Sequence, residues 1–336
     1  MKTMKRFFSL VLVLAMVLCF AACGKQEVVV GAEQTEREPM DVNVYVLSGP
    51  TGIGTMNLWA QSDAGVTFDR YRFTMPGSND EVVAAISNGT ADIACVATNL
   101  AATLYNKTDA GIICLAVNTL GVLHLLTNGE TVENIADLAG KTIYLPGQGA
   151  NPEYILRYVL IGNGLDPDSD VTLSFVGEGS ELLTVWQNQP DAVILAPQPV
   201  ATSLLMQYEN AAEAFDMTEE WDKISSGDST LMMGCVIVRK EFCAQYPKTV
   251  AGFMDAYAAS IESAQTDVTG TAALCEKYGL IPKAALAEKT IPACGVTYVD
   301  GDEMKAQLAG YLQVMFDADP KSVGGKLPGE DFYYVK

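Results

Sequence analysis

The chain's only imidazole is His124, and that sets the first limit on its chemistry. One imidazole cannot build a multi-histidine metal site, and most hydrolase triads would have to recruit this single residue. It lies in the apolar run Gly121-Val-Leu-His-Leu-Leu126. There it reads either as a partnered structural residue or as a donor to a bound ligand. Two glycine-rich stretches invite a phosphate-binding reading, and both fail on one position. Gly49-Pro-Thr-Gly-Ile-Gly54-Thr55 has the glycine spacing of a Walker A loop, but Thr55 stands where the lysine must be. Gly147-Gln-Gly-Ala-Asn-Pro152 follows a predicted strand and opens a helix, as a dinucleotide loop does. The third small residue that close helix–strand packing requires is replaced by Pro152. Glu219-Glu220 and Asp300, Asp302 and Glu303 fall at predicted helix starts, where the dipole favours acids without any catalytic role. No catalytic residue, metal site or cofactor is expected.

The elements that would position a site alternate between strand and helix from residue 41 onward. Predicted strands at 42–47, 71–75, 91–97 and 111–117 are interleaved with helices at 51–62 and 99–106 and one opening at Ser78. Ser78-Asn-Asp-Glu81 has capping-box spacing. A second series runs through strands at 141–145, 171–176 and 192–195 and helices at 152–161, 180–187 and 199–208, with Asn151-Pro152 read as a helix start. Such alternation predicts mostly parallel sheets covered on both faces by helices. Two series imply two α/β lobes with a double crossing: 41–122 with 231–336, and 123–230. The last hundred residues read as helices at 240–266, 269–279, 282–291 and 302–317, packed back onto the first lobe.

In open α/β sheets, ligands bind beyond the carboxyl ends of the strands, where helix N-termini point. That rule selects Ser48, Pro50, Thr51 and Gly52 after the first strand and Thr98 and Asn99 after the third. In the second lobe it selects Gln148, Gly149, Asn151 and Gln198. Met233 on the return crossing should floor the cleft, His124 lies on the first crossing, and Tyr154 could offer a stacking face. Trp59 and Trp186 lie near these loops but read as packing residues. None of the selected loops carries Lys, Arg, Asp or Glu, so a neutral or weakly anionic solute fits and a strongly cationic one does not.

Composition narrows the partners. Lys and Arg total 21 against 41 Asp and Glu, a formal charge of −20, which repels nucleic acid and anionic lipid headgroups. With 49% hydrophobic residues the chain can bury a sizeable core. Lys2, Lys5 and Arg6 precede the apolar run Phe7–Phe20, the pattern of a secretory leader over 1–22. Phe20-Ala-Ala-Cys23 resembles a bacterial lipobox, which makes Cys23 the expected lipidated anchor to the bilayer. Polar, aperiodic residues 24–40 then read as a tether. The expected place is extracytoplasmic, at the outer face of the bacterial cytoplasmic membrane. Export leaves open whether Cys275 and Cys294, on adjacent predicted helices, form a disulfide or remain thiols.

Three segments carry a family resemblance: Ala139-Gly-Lys-Thr-Ile-Tyr-Leu-Pro-Gly-Gln-Gly-Ala-Asn-Pro-Glu-Tyr154 and its continuation to Leu173, Val83-Ala-Ala-Ile-Ser-Asn-Gly-Thr-Ala-Asp-Ile-Ala94, and Asp191-Ala-Val-Ile-Leu-Ala-Pro-Gln-Pro199. Together they resemble the ABC-transporter substrate-binding proteins of the nitrate/sulfonate/taurine and thiamine-precursor (NMT1/THI5-like) group. The resemblance implies the type 2 periplasmic-binding fold, two lobes joined by two crossover strands, with a solute in the cleft between them. It implies a monomeric, non-enzymatic receptor that delivers a solute, such as a sulfonate or a pyrimidine-type precursor, to an ABC permease and its ATPase. Two other roles fit the same scaffold: a ligand-sensing subunit for a membrane sensor kinase, and a pyrimidine-synthesis enzyme. The enzymatic relatives sacrifice a histidine and carry a cysteine-rich motif, and clustered cysteines are missing here.

Overall fold

The computed structural model describes residues 37–227 and 229–335, so the leader, Cys23 and the tether up to residue 36 lie outside the described residues. Residues from Pro39 on form one compact unit. Along Asp41–Val46 (β1), buried Val42, Val44 and Val46 alternate with half-buried neighbours, the period of a strand. The chain continues through Pro50–Ile53 (α1), Met56–Asp63 (α2), Arg70–Thr74 (β2), Asn79–Ser87 (α3), Ile93–Ala97 (β3), Thr98–Lys107 (α4) and Ile112–Thr119 (β4). After residues 120–122 come Leu123–Asn128 (β5), Thr142–Pro146 (β6), Asn151–Gly162 (α5), Thr172–Val176 (β7), Val185–Asn188 (α6), Val193–Pro197 (β8), Val200–Gln207 (α7), Ala211–Asp216 (β9) and Met217–Ser225 (α8). The return run is Gly234–Arg239 (β10), Lys240–Gln245 (α9), Pro247–Thr266 (α10), Val268–Lys277 (α11), Ala284–Thr290 (α12), Val296–Val299 (β11) and Gly301–Ala318 (α13).

Two sheets result, ordered β11-β4-β10-β3-β1-β2 and β7-β6-β8-β5-β9. Most strands in each sheet share a direction, with parallel pairing of β1 to β2 and β3, and of β6 to β7 and β8. In each sheet one internal strand interrupts this set, and in the first sheet the edge strand β11 also runs antiparallel to β4. β10 lies antiparallel between β3 and β4, and β5 lies antiparallel between β8 and β9. The cause is topological: β5 and β10 are the first strands after each crossing, so they start where the others end. β10 is covered on both faces, with Cys235 and Ile237 in one core and Val236 and Val238 in another. Its sequence therefore lacks polar alternation.

One apolar core does not stop at the sheet boundary. It runs from Ala94, Val96 and Ile237 in the first sheet to Leu125, Ile143 and Leu195 in the second, with α5, α8 and α13 in between. On α13 the residues Met304, Leu308, Tyr311, Leu312 and Met315 recur at helical spacing and are fully buried. The Trp221 ring of α8 lies 5.6 Å from Tyr311 and 4.2 Å from Tyr158 of α5. Thus α13 packs on the first sheet and also reaches the second half, where Tyr154 Oη donates to Asp319 Oδ2 at 3.0 Å.

Several local expectations are corrected. The C-terminal region contributes an edge strand, β11, as well as helices. The expected helix over 240–266 is two helices, because Pro247 lacks the N–H to continue the first and opens the second. Ala150, not Asn151, caps α5; Asn151 is its first residue, followed by Pro152. Ser78 does cap α3, accepting from Glu81 N at 3.3 Å, but Glu81 reaches back to Gly77 N rather than to Ser78.

Cys275 and Cys294 are both thiols, as are Cys95, Cys114, Cys235 and Cys243, and all but Cys243 are buried. Burial pushes Cys95 and Cys275 up to about 12, and burial followed by the neighbouring Cys275 pushes Cys294 up as well. A buried thiol short of thiolate is a poor nucleophile. In Ellman titration of the folded protein at pH 8, Cys243 should be the first of these six to react, and slowly. The others should titrate only after denaturation.

Candidate functional site

Three strands of the first sheet end around one recess. Leu47, Ser48, Pro50 and Thr51 follow β1, Pro76–Asn79 follow β2, and Ala97 ends β3; together they line a cavity of about 460 Å³. No lining side chain is charged. The polar groups on offer are the Ser48, Thr51 and Ser78 hydroxyls and the Asn79 amide. The first turn of α3 is closed internally by Ser78 and Glu81. The first turn of α4 has no side-chain cap, and Ala97 brings it to the recess. An uncapped helix start favours an acceptor or an anion.

Behind the recess lies the return crossing. Met233 N donates to Thr119 O at 3.0 Å, Thr98 N donates to Met233 O at 3.1 Å, and Thr98 Oγ1 donates to Met232 O at 2.6 Å. Thr98 is fully buried, so its hydroxyl locks the crossing to α4. Asn118 Nδ2 donates to Tyr257 Oη at 2.9 Å and to Thr51 O at 3.3 Å, fixing the loop after β1. Gly234 sits beneath that loop: a Cβ there would lie 2.4 Å from Thr51 Cγ2 and 2.7 Å from Asn118 Oδ1.

Of the residues selected from sequence, Ser48, Pro50 and Thr51 line the recess. Gly52 is buried against Leu280, Thr98 and Met233 form the backing, and Asn99 is half-buried on α4. Gln148, Gly149, Asn151, Tyr154 and Gln198 belong to the second half. There α5 and α7 have no side-chain cap either, and Asn151 Oδ1, at the start of α5, is buried without a hydrogen-bond partner, while neighbouring groups are engaged. Gly149 N donates to Glu153 Oε2 at 2.8 Å, and Arg157 Nε donates to Glu153 Oε1 at 2.7 Å. Gln198 is buried, and its Oε1 accepts from Thr202 N at 3.2 Å and Thr202 Oγ1 at 2.8 Å. Burial and then Asp319 push the Tyr154 hydroxyl up to about 12, so it stays a neutral donor across the halves. Trp59 stacks between Phe73 and Tyr278, and Trp186 is buried with Nε1 donating to Ala192 O at 2.7 Å.

Sequence reasoning missed Pro76–Asn79. The rule that picked the loops after the first and third strands applies equally to the second, and Ser78 had already marked a helix start there. His124 is buried on β5, with Nδ1 3.1 Å from Glu213 Oε1 and Nε2 3.1 Å from Ala293 O. Both ring nitrogens are engaged, which makes this an ion-pair network. A larger open recess, about 710 Å³, lies at the other end of the first sheet, against Gly89, Asp109–Gly111 and Arg239–Glu241. Its cations are paired, Arg239 with Asp92 and Lys240 with Asp331. It faces the C-terminal ends of α3 and α4 as well as the start of α9, and its cations are already neutralised, so size and chemistry disagree. The strand-end geometry favours the smaller recess.

Known proteins share this architecture. The family described as NMT1/THI5 like matches residues 62–267, more than half of the chain. No curated protein sequence matches. An ABC transporter structure from Parabacteroides distasonis is similar at 23% identity and TM-score 0.73, covering 88% of this chain and 99% of that one. The periplasmic aliphatic sulphonate binding protein SsuA of Escherichia coli is similar at 12% identity and TM-score 0.67, over 88% and 96%. The alkanesulfonate-binding protein SsuA of Xanthomonas axonopodis pv. citri, bound to MOPS, is similar at 14% identity and TM-score 0.60, over 88% and 97%. These likenesses establish the two-sheet, helix-covered fold of periplasmic binding proteins. Among the described residues no helix is long and apolar enough to cross a membrane.

The crowding at Gly234 yields a prediction. Gly234→Ala should lower stability by about 1–3 kcal/mol, the usual cost of overpacking, read as a fall in the urea midpoint. An unchanged midpoint would show that the loop after β1 yields freely.

Proposed function

Because the chain belongs to the NMT1/THI5-like family, we propose that it is a solute-binding protein that captures a small organic or weakly anionic solute and hands it to an ABC permease. The lobes in this reading are 41–122 with 231–336, and 123–230, and solute binding and lobe closure are one equilibrium. The observation that carries it is the charge-free recess at the carboxyl ends of β1, β2 and β3, with the uncapped start of α4 at its edge. At about 460 Å³ it matches the size of small-molecule sites, roughly 300–1,000 Å³. Hydroxyls, one amide and a helix start suit a sulfonate or a pyrimidine-type precursor. The sulfonate binders of similar fold make sulfonates the first class to try. None of the recess side chains is a general acid, a general base or an activated nucleophile, which argues for binding without catalysis. Cys23 would tether the protein to the bilayer, and the energy for uptake would come from the partner ATPase.

A thermal-shift panel of sulfonates, nitrate, pyrimidines, amino acids and vitamins tests the reading on purified protein. A solute at a hundred times its Kd adds about 2.7 kcal/mol of stability, a readable shift. Ser48→Ala and Asn79→Ala should each weaken the hit about tenfold, the loss of one hydrogen bond worth ~1.4 kcal/mol. Their ligand-free melting temperatures should stay near the parent's. A hit whose affinity ignores both substitutions would move the site elsewhere, and flat curves across the panel would remove the support for this solute class. Stimulation of the permease's ATPase by the loaded protein separates delivery from sensing.

A further inference from the structure

The seam between the two halves is closed beside the first crossing by the only histidine. His124 heads β5, the strand that enters the second sheet, and is 2% exposed. Its Nδ1 lies 3.1 Å from Glu213 Oε1 and 3.9 Å from Asp216 Oδ2, both on β9 of the same sheet. Its Nε2 lies 3.1 Å from the carbonyl of Ala293, in the segment that leads into β11 of the other sheet. A carboxylate and a backbone carbonyl can only accept. A neutral imidazole has one N–H to give, whereas an imidazolium has two.

We propose that His124 is a proton-operated clasp between the halves: as an imidazolium it holds the Glu213 carboxylate and the Ala293 carbonyl together, and as a neutral ring it must release one of them. The Ala293 segment continues into Gly295, whose carbonyl accepts from Leu120 N at 2.8 Å at the β4–β11 edge of the first sheet, and α12 packs on α7 across the seam. Among the described residues the charges acting on the ring are carboxylates, and Glu288 and Lys289 of α12 are exposed. β8 places Ala196 opposite the histidine, and α7 has no ionisable residue. On α8, Glu220 pairs with Lys223, while Glu219 and Asp222 are exposed. The charges that face the ring are Glu213 and Asp216.

The sign of the effect is set by these neighbours. Burial opposes the charged ring, but the hydrogen bond and charge of Glu213, with Asp216 and the Ala293 carbonyl, outweigh it and hold the imidazole above its ordinary value. The Glu213 carboxyl is correspondingly held low, chiefly by its bond to His124. A pKa raised on folding contributes stability that is complete below the unfolded value, about 6.5, and is lost as pH rises through the folded one. The clasp therefore loosens toward alkaline pH. This holds whatever solute the recess takes, and its readouts need none.

The test uses the whole chain labelled with ¹⁵N-histidine, in which the imidazole signal has only one source. At pH 6.5 both ring nitrogens should carry protons, and the titration midpoint should lie above about 6.5. Glu213→Gln should bring that midpoint down by about one unit or more. At matched pH below the midpoint, His124→Gln should speed amide exchange at Leu120, whose acceptor Gly295 lies two residues beyond Ala293, and leave Val236, in the middle of the first sheet, unchanged. Above the midpoint the two proteins should converge. A midpoint at or below 6.5, or Leu120 exchange indifferent to both the substitution and pH, would overturn the clasp.

Discussion

One apolar layer, formed by α5, α8 and α13, belongs to both sheets at once, and the arrangement of everything else depends on it. Trp221, Tyr158 and Tyr311 pack there between helices from different halves. Opening that layer would expose large aromatic surface, at roughly 25 cal/mol per Å² of apolar area. The cheap relative motion is one that keeps these rings together and turns the halves about them, as a hinge rather than a separation. The recess proposed for the solute lies at the ends of β1, β2 and β3. The tight glycine at the second crossing, Gly234, lets Thr51 and Asn118 close over the strand without displacing it.

Charge is distributed to the same effect. The chain has nearly twice as many acids as bases, yet the recess contains neither. Carboxylates appear instead at helix starts such as Glu81 and Glu153, where they satisfy exposed amides and complement the dipole. Those amides are thereby removed from competition for a ligand. The start of α4 is left without such a side chain, and its neighbour Ala97 opens onto the recess.

Much of the fold was legible because burial on one or both faces writes itself into local pattern. β1 alternates, β3 is apolar throughout, and Ser78 announces α3. What was lost depended on distant partners. Val296–Val299 is too short to read as a strand alone and becomes one by pairing with β4. Asn151 has the residue type of a cap, but the turn places Ala150 there and Glu153 accepts from the Gly149 amide. Of the site, the loop after β1 was legible from the strand-end rule. The recess wall at Pro76–Asn79 obeys the same rule, given that β2 lies beside β1. That Tyr154 commits its hydroxyl to Asp319, 165 residues away, has no local signature.

The placement of β10 also dictates an order of assembly. All five strands of the second sheet lie within residues 123–216, so it can form from one uninterrupted stretch of chain. The first sheet cannot: β3 and β4 remain apart until residues 234–239 slot between them. Non-local pairings of this kind are slow to find, because a long intervening loop must close first. Until then both strands present bare edges, the surfaces through which unfinished chains stick to one another. The half that supplies the recess is therefore the half that matures last, and the one most dependent on protection before the chain is complete.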